Sequence, residues 1–271
     1  MTISPSLYNF ETVKQTGSTN SDLLGRPFAL TAQIPAVLLA QHQTAGRGRR
    51  GRTWQSSPVD QPAGSLTFSL AIERPADAAE PLTALSLVIG ICILSELHLI
   101  YPSQAAPLKV KWPNDLVRLG EDGTTAKVGG ILIETKRAGQ VQRIVIGVGL
   151  NVFGSTAQSM AAQTSYRTDR LLSSPITAIE MTELAQKLSL AMLGAWSTFQ
   201  HSGWQVFRDD WNRADALAGQ PVTVVESGDV QWSGIHGGLD ELGQLRVITP
   251  SGERYVLVGD VSLRGQRVIQ S

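Results

Sequence analysis

The chain of 271 residues holds a single cysteine, Cys92. No internal disulfide can form, which fits a reducing cytoplasm. Cys92 sits inside the apolar run Leu87-Val-Ile-Gly-Ile-Cys-Ile-Leu94 and reads as a buried, inert thiol. There is no surplus of charge: 23 Lys and Arg balance 23 Asp and Glu. A protein held to nucleic acid mainly through phosphates usually shows a basic excess, so that class is disfavoured. No run reaches about 18 uninterrupted apolar residues, so nothing reads as membrane-spanning. Met1–Tyr8 lacks the basic region and apolar stretch of a signal peptide. His42, His98, His201 and His236 fall at no metal-ligand spacing and form no cluster with cysteine, so no metal site is expected. No internal repeat, Ser-His-Asp grouping, P-loop or dinucleotide fingerprint can be nominated.

What is present is a mixture of strand and helix signals. Val37–His42 and Ser65–Ile72 read as buried strands, the second with Leu66, Phe68, Leu70 and Ile72 on one face. About twenty residues rich in Gly, Arg, Ser and Pro lie between them, and a loop that long is often functional or disordered. Pro81–Ile100 reads as a helix with one stripe of Leu82, Leu85, Ile89, Cys92 and Ile93. Strand-like runs follow over Leu108–Trp112, Val128–Thr135 and Val141–Leu150. Thr177–Gln200 returns to helical spacing, and a short helix is expected over Trp204–Trp211. From Gly219 the texture changes to short apolar stretches, Pro221–Val225, Val230–Ile235, Leu245–Ile248 and Tyr255–Val258, each bounded by turn residues. That pattern predicts a small all-β barrel. The expected division is a mixed α/β part over residues 1–214 and a β part over residues 215–271.

Four short segments concentrate chemistry. Gly46-Arg-Gly-Arg-Arg-Gly-Arg52 interleaves four arginines with three glycines, and Trp54 follows. Glycine allows close backbone approach and arginine forks pair with phosphates and carboxylates. The segment reads as a mobile clamp for an anionic small molecule, or as a solvated basic or RNA-binding stretch. Lys111-Trp-Pro-Asn-Asp115 reads as a rigid bend at a strand end, because proline fixes its own φ and biases its predecessor toward extended geometry. Lys111, Asn114 and Asp115 would then project from a fixed scaffold; a decorated turn is the plainer reading. Lys127-Val-Gly-Gly-Ile131 places two glycines inside an apolar strand, a mark of close approach by a ligand or by a bulky neighbour. Gly17-Ser-Thr-Asn20 is a helix start, which caps and can also seat a polar group.

Taken in order, these segments, with Gln41 ahead of the arginine loop and Gly147-Val-Gly-Leu-Asn151 after it, resemble the biotin protein ligase family. Gly259-Asp-Val-Ser-Leu-Arg264 is similar to the end of that family's C-terminal barrel. The resemblance implies an α+β fold: a mixed sheet with helices in a class II synthetase-like catalytic domain, plus a small SH3-like β-barrel. It implies activation of biotin by ATP, with Mg²⁺ brought by the nucleotide, to biotinyl-5′-AMP, and transfer to a lysine of a biotin carboxyl carrier protein of acetyl-CoA carboxylase.

Roles follow position by position from the resemblance. Ser18, Thr19 and Gln41 would hydrogen-bond the biotin head group. Gly46, Arg47 and Gly130 would lie beside biotin. Arg49 and Arg52 would face the adenylate and phosphates, and Trp54 would pack near adenine. Lys111 and Lys127 would neutralise charge around carboxylate and phosphate. Asn114 and Asn151 would be adenylate-site amides, and Asp115 would orient the incoming lysine. Some relatives carry an N-terminal helix-turn-helix domain; the sixteen residues before Gly17 are too few for one, so the expectation is a ligase that binds no DNA and no membrane, monomeric or homodimeric, in the cytoplasm. The rival readings are a lipoate ligase or transferase, and an RNA-binding module. Neutral charge and aromatic-poor strands oppose the second.

Overall fold

The computed structural model describes residues 7–28, 34–56, 64–154, 167–226, 229–257 and 262–265. Residues 1–6 of the N-terminal stretch, 57–63 of the long loop and 258–261 near the chain end, over which parts of the sequence reading fall, lie outside them. The chain divides into two compact units, residues 1–79 with 128–191, and residues 80–127 with 192–271. Seven strands form one sheet: β1 (Asn9–Thr16), β2 (Ala36–Gln43), β3 (Ser65–Pro75), β4 (Leu108–Lys111), β5 (Asp115–Leu119), β6 (Thr125–Ala138) and β7 (Val141–Asn151), in the order β1-β2-β3-β7-β6-β5-β4. β1 and β2 run parallel, while β2–β3, β3–β7 and β6–β7 are antiparallel. The mixed sheet is the one expected.

In the first unit the two faces of the sheet differ. Leu66, Phe68, Leu70 and Ile72 of β3 lie opposite Leu150, Val148, Ile146 and Ile144 of β7, and all are buried. Each such side chain contributes about 1.5–3 kcal/mol when fully buried. The other face carries small residues. Thr67, Gly149 and Gly130 form one row across β3, β7 and β6; Ser69, Gly147 and Leu132 form the next; Ala71, Val145 and Glu134 form the third. Cross-strand partners share a face, so these rows make a shallow floor. The helix α1 (Thr19–Gly25) rests on its far end, where Leu23 packs with Leu38, Ala71 and Val145. Arg143 fastens the end of that helix. Its guanidinium donates to the carbonyls of Leu23, Arg26 and Pro27 and pairs with Glu73 at 2.6 Å.

The second unit opens on a single turn, Leu82–Ala84, and continues as α2 (Leu85–Ile100). The expected single apolar stripe is too narrow a description. Leu87, Val88, Ile91, Leu94 and Leu97 are buried as well, so α2 is covered on several faces. Leu82–Ile100 is by length and composition apolar enough to cross a membrane, but more than half of it is buried within the fold, as in a core helix. Burial and nearby Glu96 push the Cys92 thiol up to about 12, in keeping with an inert thiol. α3 (Pro102–Ala105) and the β4–β5 hairpin follow. A long helix, α4 (Ala178–Ser202), starts in the first unit, at a capping box in which Thr177 and Glu180 exchange hydrogen bonds, and contributes its residues from Met192 on to the second. The helix expected over Trp204–Trp211 is instead a turn, Gln205–Phe207, and then α5 (Arg208–Ala214). Five antiparallel strands, β8 (Pro221–Glu226), β9 (Asp229–Leu239), β10 (Leu245–Thr249), β11 (Gly252–Val256) and β12 (Ser262–Gly265), build the small β domain in the order β11-β10-β9-β8-β12.

Candidate active site

The first unit carries a chain of hydrogen bonds that is neutral as far as Asn20 and ends on the Glu134–Arg47 ion pair. Ser18 caps α1, and Ser18, Thr19 and Asn20 are all buried. The Thr19 backbone N–H and hydroxyl reach Gln43 Oε1 at 2.8 and 3.1 Å. The Thr19 hydroxyl also lies 2.6 Å from Ser69 Oγ, which donates to Asn20 Oδ1 at 2.6 Å. Asn20 Nδ2 then donates to Glu134 Oε2 at 2.9 Å, and the same oxygen accepts from Arg47 at 2.7 Å. Buried polar groups persist when each finds a partner, and here every link has one.

The arginine segment, expected as a mobile clamp, closes into a narrow hairpin. Gly48 N–H donates to the Arg52 carbonyl at 2.7 Å and Trp54 N–H to the Gly46 carbonyl at 2.9 Å, with Arg49–Gly51 forming the tip. The hairpin delivers Trp54 onto the glycine floor. A Cβ on Gly149 would strike the indole ring, and one on Gly147 would overlap the Asn20 carboxamide. Both positions therefore require glycine through close approach. The Trp54 indole N–H is buried and meets no acceptor among the described residues, an arrangement that costs about 1–3 kcal/mol and invites an acceptor from a ligand. Asn151, on the same face of β7, holds the returning chain at the Asp169 carbonyl with a 3.1 Å bond.

In the second unit the Lys111–Asp115 bend joins β4 to β5, with a cis bond between Trp112 and Pro113. Lys111 and Asp115 are register partners across the hairpin, and Lys111 is buried. Lys127 Nζ donates to Asp115 Oδ1 at 2.6 Å, with both side chains about a third to a quarter exposed (31% and 26%). The bend thus gathers two lysines and one carboxylate, of which Lys127 and Asp115 are paired, an arrangement suited to holding further negative charge. Below the bend Trp112 is buried, and Ser86 Oγ donates to the Pro113 carbonyl at 3.0 Å. Among the described residues no three His, Cys, Asp or Glu side chains gather as a metal-binding group.

Comparison with known proteins bears on these two constellations. Residues 12–151 match the model of the biotin/lipoate A/B protein ligase family, and residues 218–264 match that of the biotin protein ligase C-terminal domain. The bifunctional ligase/repressor BirA of Salmonella typhimurium is 32% identical over 248 residues, covering 91% of this chain and 72% of its own. The chain belongs to the biotin protein ligase family. The biotin–[acetyl-CoA-carboxylase] ligase of Paracoccus denitrificans is 29% identical, covering 93% of this chain and 99% of its own. Among solved structures, the biotin protein ligase of Aquifex aeolicus in complex with biotin and ATP shares 25% identity and a TM-score of 0.74, over 95% of this chain and 99% of that one.

As a biotin protein ligase family member, the chain distributes its sequence-predicted residues over both units. Ser18, Thr19, Gln41, Gly46, Arg47, Arg49, Arg52, Trp54, Gly130 and Asn151 belong to the first; Lys111, Asn114, Asp115 and Lys127 belong to the second. Gln41 is exposed on β2, whereas Gln43, two residues on along the same face, is the glutamine that meets Thr19. Sequence reasoning missed Gln43, Asn20, Ser69 and Glu134. Asn20 had a signal, since it completes the Gly17–Asn20 helix start; Ser69 also had one, being a polar residue alternating inside an apolar strand. Glu134 had none, because a charged residue near a strand end is ordinary.

Proposed function

We propose that this chain is a ligase that attaches biotin to protein in two steps. The biotin carboxylate attacks the α-phosphorus of MgATP, pyrophosphate leaves, and biotinyl-5′-AMP forms. The unprotonated amine of a carrier lysine then attacks the acyl carbon, AMP leaves with the bonding pair, and an amide remains. The catalytic part is assigned to residues 1–214 and the small β domain to residues 215–271. The carrier is a biotin carboxyl carrier protein such as that of acetyl-CoA carboxylase, and the setting is cytoplasmic.

The observation that carries the reading is the buried neutral network of Thr19 and Gln43 beside the glycines of β7 on which Asn20 and Trp54 rest. Ser18, Thr19 and Gln43, with Gln43 in place of Gln41, offer hydrogen bonds without net charge, which suits an uncharged cyclic urea. Gly46 lets the Trp54 carbonyl and Gln43 approach closely, Gly130 is assigned a place beside the ring, and Arg47 is steadied by Glu134. Arg49 and Arg52 hold phosphate charge, Trp54 offers its ring and unpaired N–H to the nucleotide, and Asn114 and Asn151 supply amides. Lys111 and Lys127 offset the repulsion between carboxylate and triphosphate. Asp115, held by Lys127, orients the acceptor amine by exchanging one lysine for another.

An intact-mass assay tests this. The protein is mixed with MgATP, a folded biotin carrier domain, and either biotin or lipoate. One ATP-dependent biotinyl addition is expected. Addition of lipoate alone would overturn the substrate and keep the reaction class; no addition in either tube would overturn the ligase reading.

A further inference from the structure

The β9–β10 turn of the small β domain is bound by its carbonyls. Five consecutive carbonyl oxygens accept side-chain hydrogen bonds from outside the turn. Leu239 accepts from Arg208 at 3.0 Å, Asp240 from the Trp204 indole at 3.3 Å, and Glu241 from Gln205 at 3.0 Å. Leu242 accepts from Thr83 at 3.1 Å, and Gly243 from the Trp112 indole at 3.1 Å. The turn is also stiff within itself, since Asp240 Oδ1 accepts from the backbone of Leu242 and Gln244 at 2.9 and 2.8 Å. An ordinary surface turn gives its carbonyls to water; this one is seated.

Position 243 allows only glycine. Its φ is +75°, and a Cβ would lie 2.9 Å from Ala84 Cβ and 3.0 Å from Leu87 Cδ1, both in the first turns of the α2 region. The carbonyl behind it is the partner of Trp112, the residue between Lys111 and Pro113 in the bend. The bend is thus gripped twice, through Ser86 at the Pro113 carbonyl and through Gly243 at the Trp112 indole. Trp112 is almost fully buried, so its ring transmits the position of the turn to the backbone that carries Lys111.

We propose that Gly243 and Trp112 are positioning residues, through which this turn holds Lys111 and Asp115 where the adenylate forms. The inference rests on the assignment of Lys111 to charge neutralisation given above. All of the contacts lie in the second unit, whereas the groups assigned to the biotin head lie in the first. A positioning role therefore separates the rate of adenylate formation from biotin affinity.

The experiment measures the pyrophosphate burst per active site, with sites counted by biotin stoichiometry in calorimetry. Trp112→Phe removes the indole N–H and keeps an aromatic ring; Gly243→Ala displaces the carbonyl. Each is expected to slow the burst on the order of ten- to a hundredfold, with biotin Kd within about twofold of the parent. The double variant is expected to fall no further than the slower single variant, because both break one link. Full burst rates per site in both single variants, or a double variant that multiplies the two losses, would overturn the proposal. A Lys111→Ala control separates the two readings. If it forms adenylate at the parent rate, the assignment of Lys111 fails and this inference with it. If it is inactive while Trp112→Phe and Gly243→Ala run at full rate, this inference alone fails.

Discussion

The two polar constellations solve opposite problems. In the first unit, Thr19, Gln43, Ser69 and Asn20 are neutral, buried, and hydrogen-bonded to one another. In the second, Lys111, Asp115 and Lys127 are charged, and the Lys127–Asp115 pair keeps part of its surface in water. Burial tolerates neutral groups whose partners are all present, but removing charges from water costs several kcal/mol per ion unless the pairing is good. A neutral network can wait, preformed, for an uncharged ring. The charged one keeps its Lys127–Asp115 pair partly in water, with Lys111 buried, and becomes valuable once ligand excludes the water. On the proposed function, the difference suits the first constellation to recognition and the second to chemistry.

Lys111→Ala is the harshest way to break that division. Adenylate formation should fall about 10²–10³-fold, the usual loss when one electrostatic stabiliser of a transition state is removed. Biotin affinity should stay within about threefold by calorimetry. Gln43→Leu tests the other side. It leaves the buried Thr19 N–H without its acceptor, a cost of about 1–3 kcal/mol, so biotin Kd should weaken about ten- to a hundredfold while kcat at saturating biotin holds. Gln41→Leu should move biotin Kd less than about twofold, and the reverse ranking would restore Gln41 to the role. Arg49→Ala should release biotinyl-5′-AMP about tenfold faster, read by mass spectrometry of the released nucleotide after rapid filtration. Equal release rates would remove the clamp.

The smallest effect concerns pH. His236 is buried 3.2 Å from Asp215, and burial holds its pKa below the ordinary histidine range. Gly238 N–H donates to His236 Nδ1 at 3.1 Å, which requires a ring protonated on Nε2 and otherwise neutral. As pH falls below about 6.5 the unfolded histidine gains a proton that the folded one resists, so His236 lowers stability toward acid, while burial raises the Asp215 carboxyl and offsets part of that decline. Denaturant midpoints should show the decline, and the imidazole nitrogen shifts should titrate at lower pH than those of a free histidine. A ring that titrates normally would contradict this. The Thr19–Gln43 network has nothing that titrates in the window, so biotin affinity should stay level.

Legibility in the sequence followed local constraint. Ser65–Ile72 and the strands β8, β9 and β10 announced themselves by alternation and turn residues, whereas β11 begins three residues before the stretch read at Tyr255 and β12 was not read as a strand. The Lys111–Asp115 bend was marked by proline inside an apolar context. β1 was not foreseen because it is an edge strand whose Glu11, Lys14 and Gln15 face water. β5 was hidden by its shortness after the bend. Gln41 and Gln43 could not be separated, because both lie on one strand face and only the arrival of α1 decides which is covered. The grip of the β9–β10 turn on Trp112 joins residues 131 apart in sequence, and no local pattern predicts such a pair.

Separate loss of biotin recognition and of adenylate formation is the central expectation for this enzyme. Biotin, and then MgATP, would be titrated calorimetrically into Lys111→Ala and Gln43→Leu side by side, with pyrophosphate followed in the same samples. The account predicts near-parent biotin binding without pyrophosphate for Lys111→Ala, and weak biotin binding with near-parent turnover at saturation for Gln43→Leu. Equal loss of biotin affinity in both variants would contradict it.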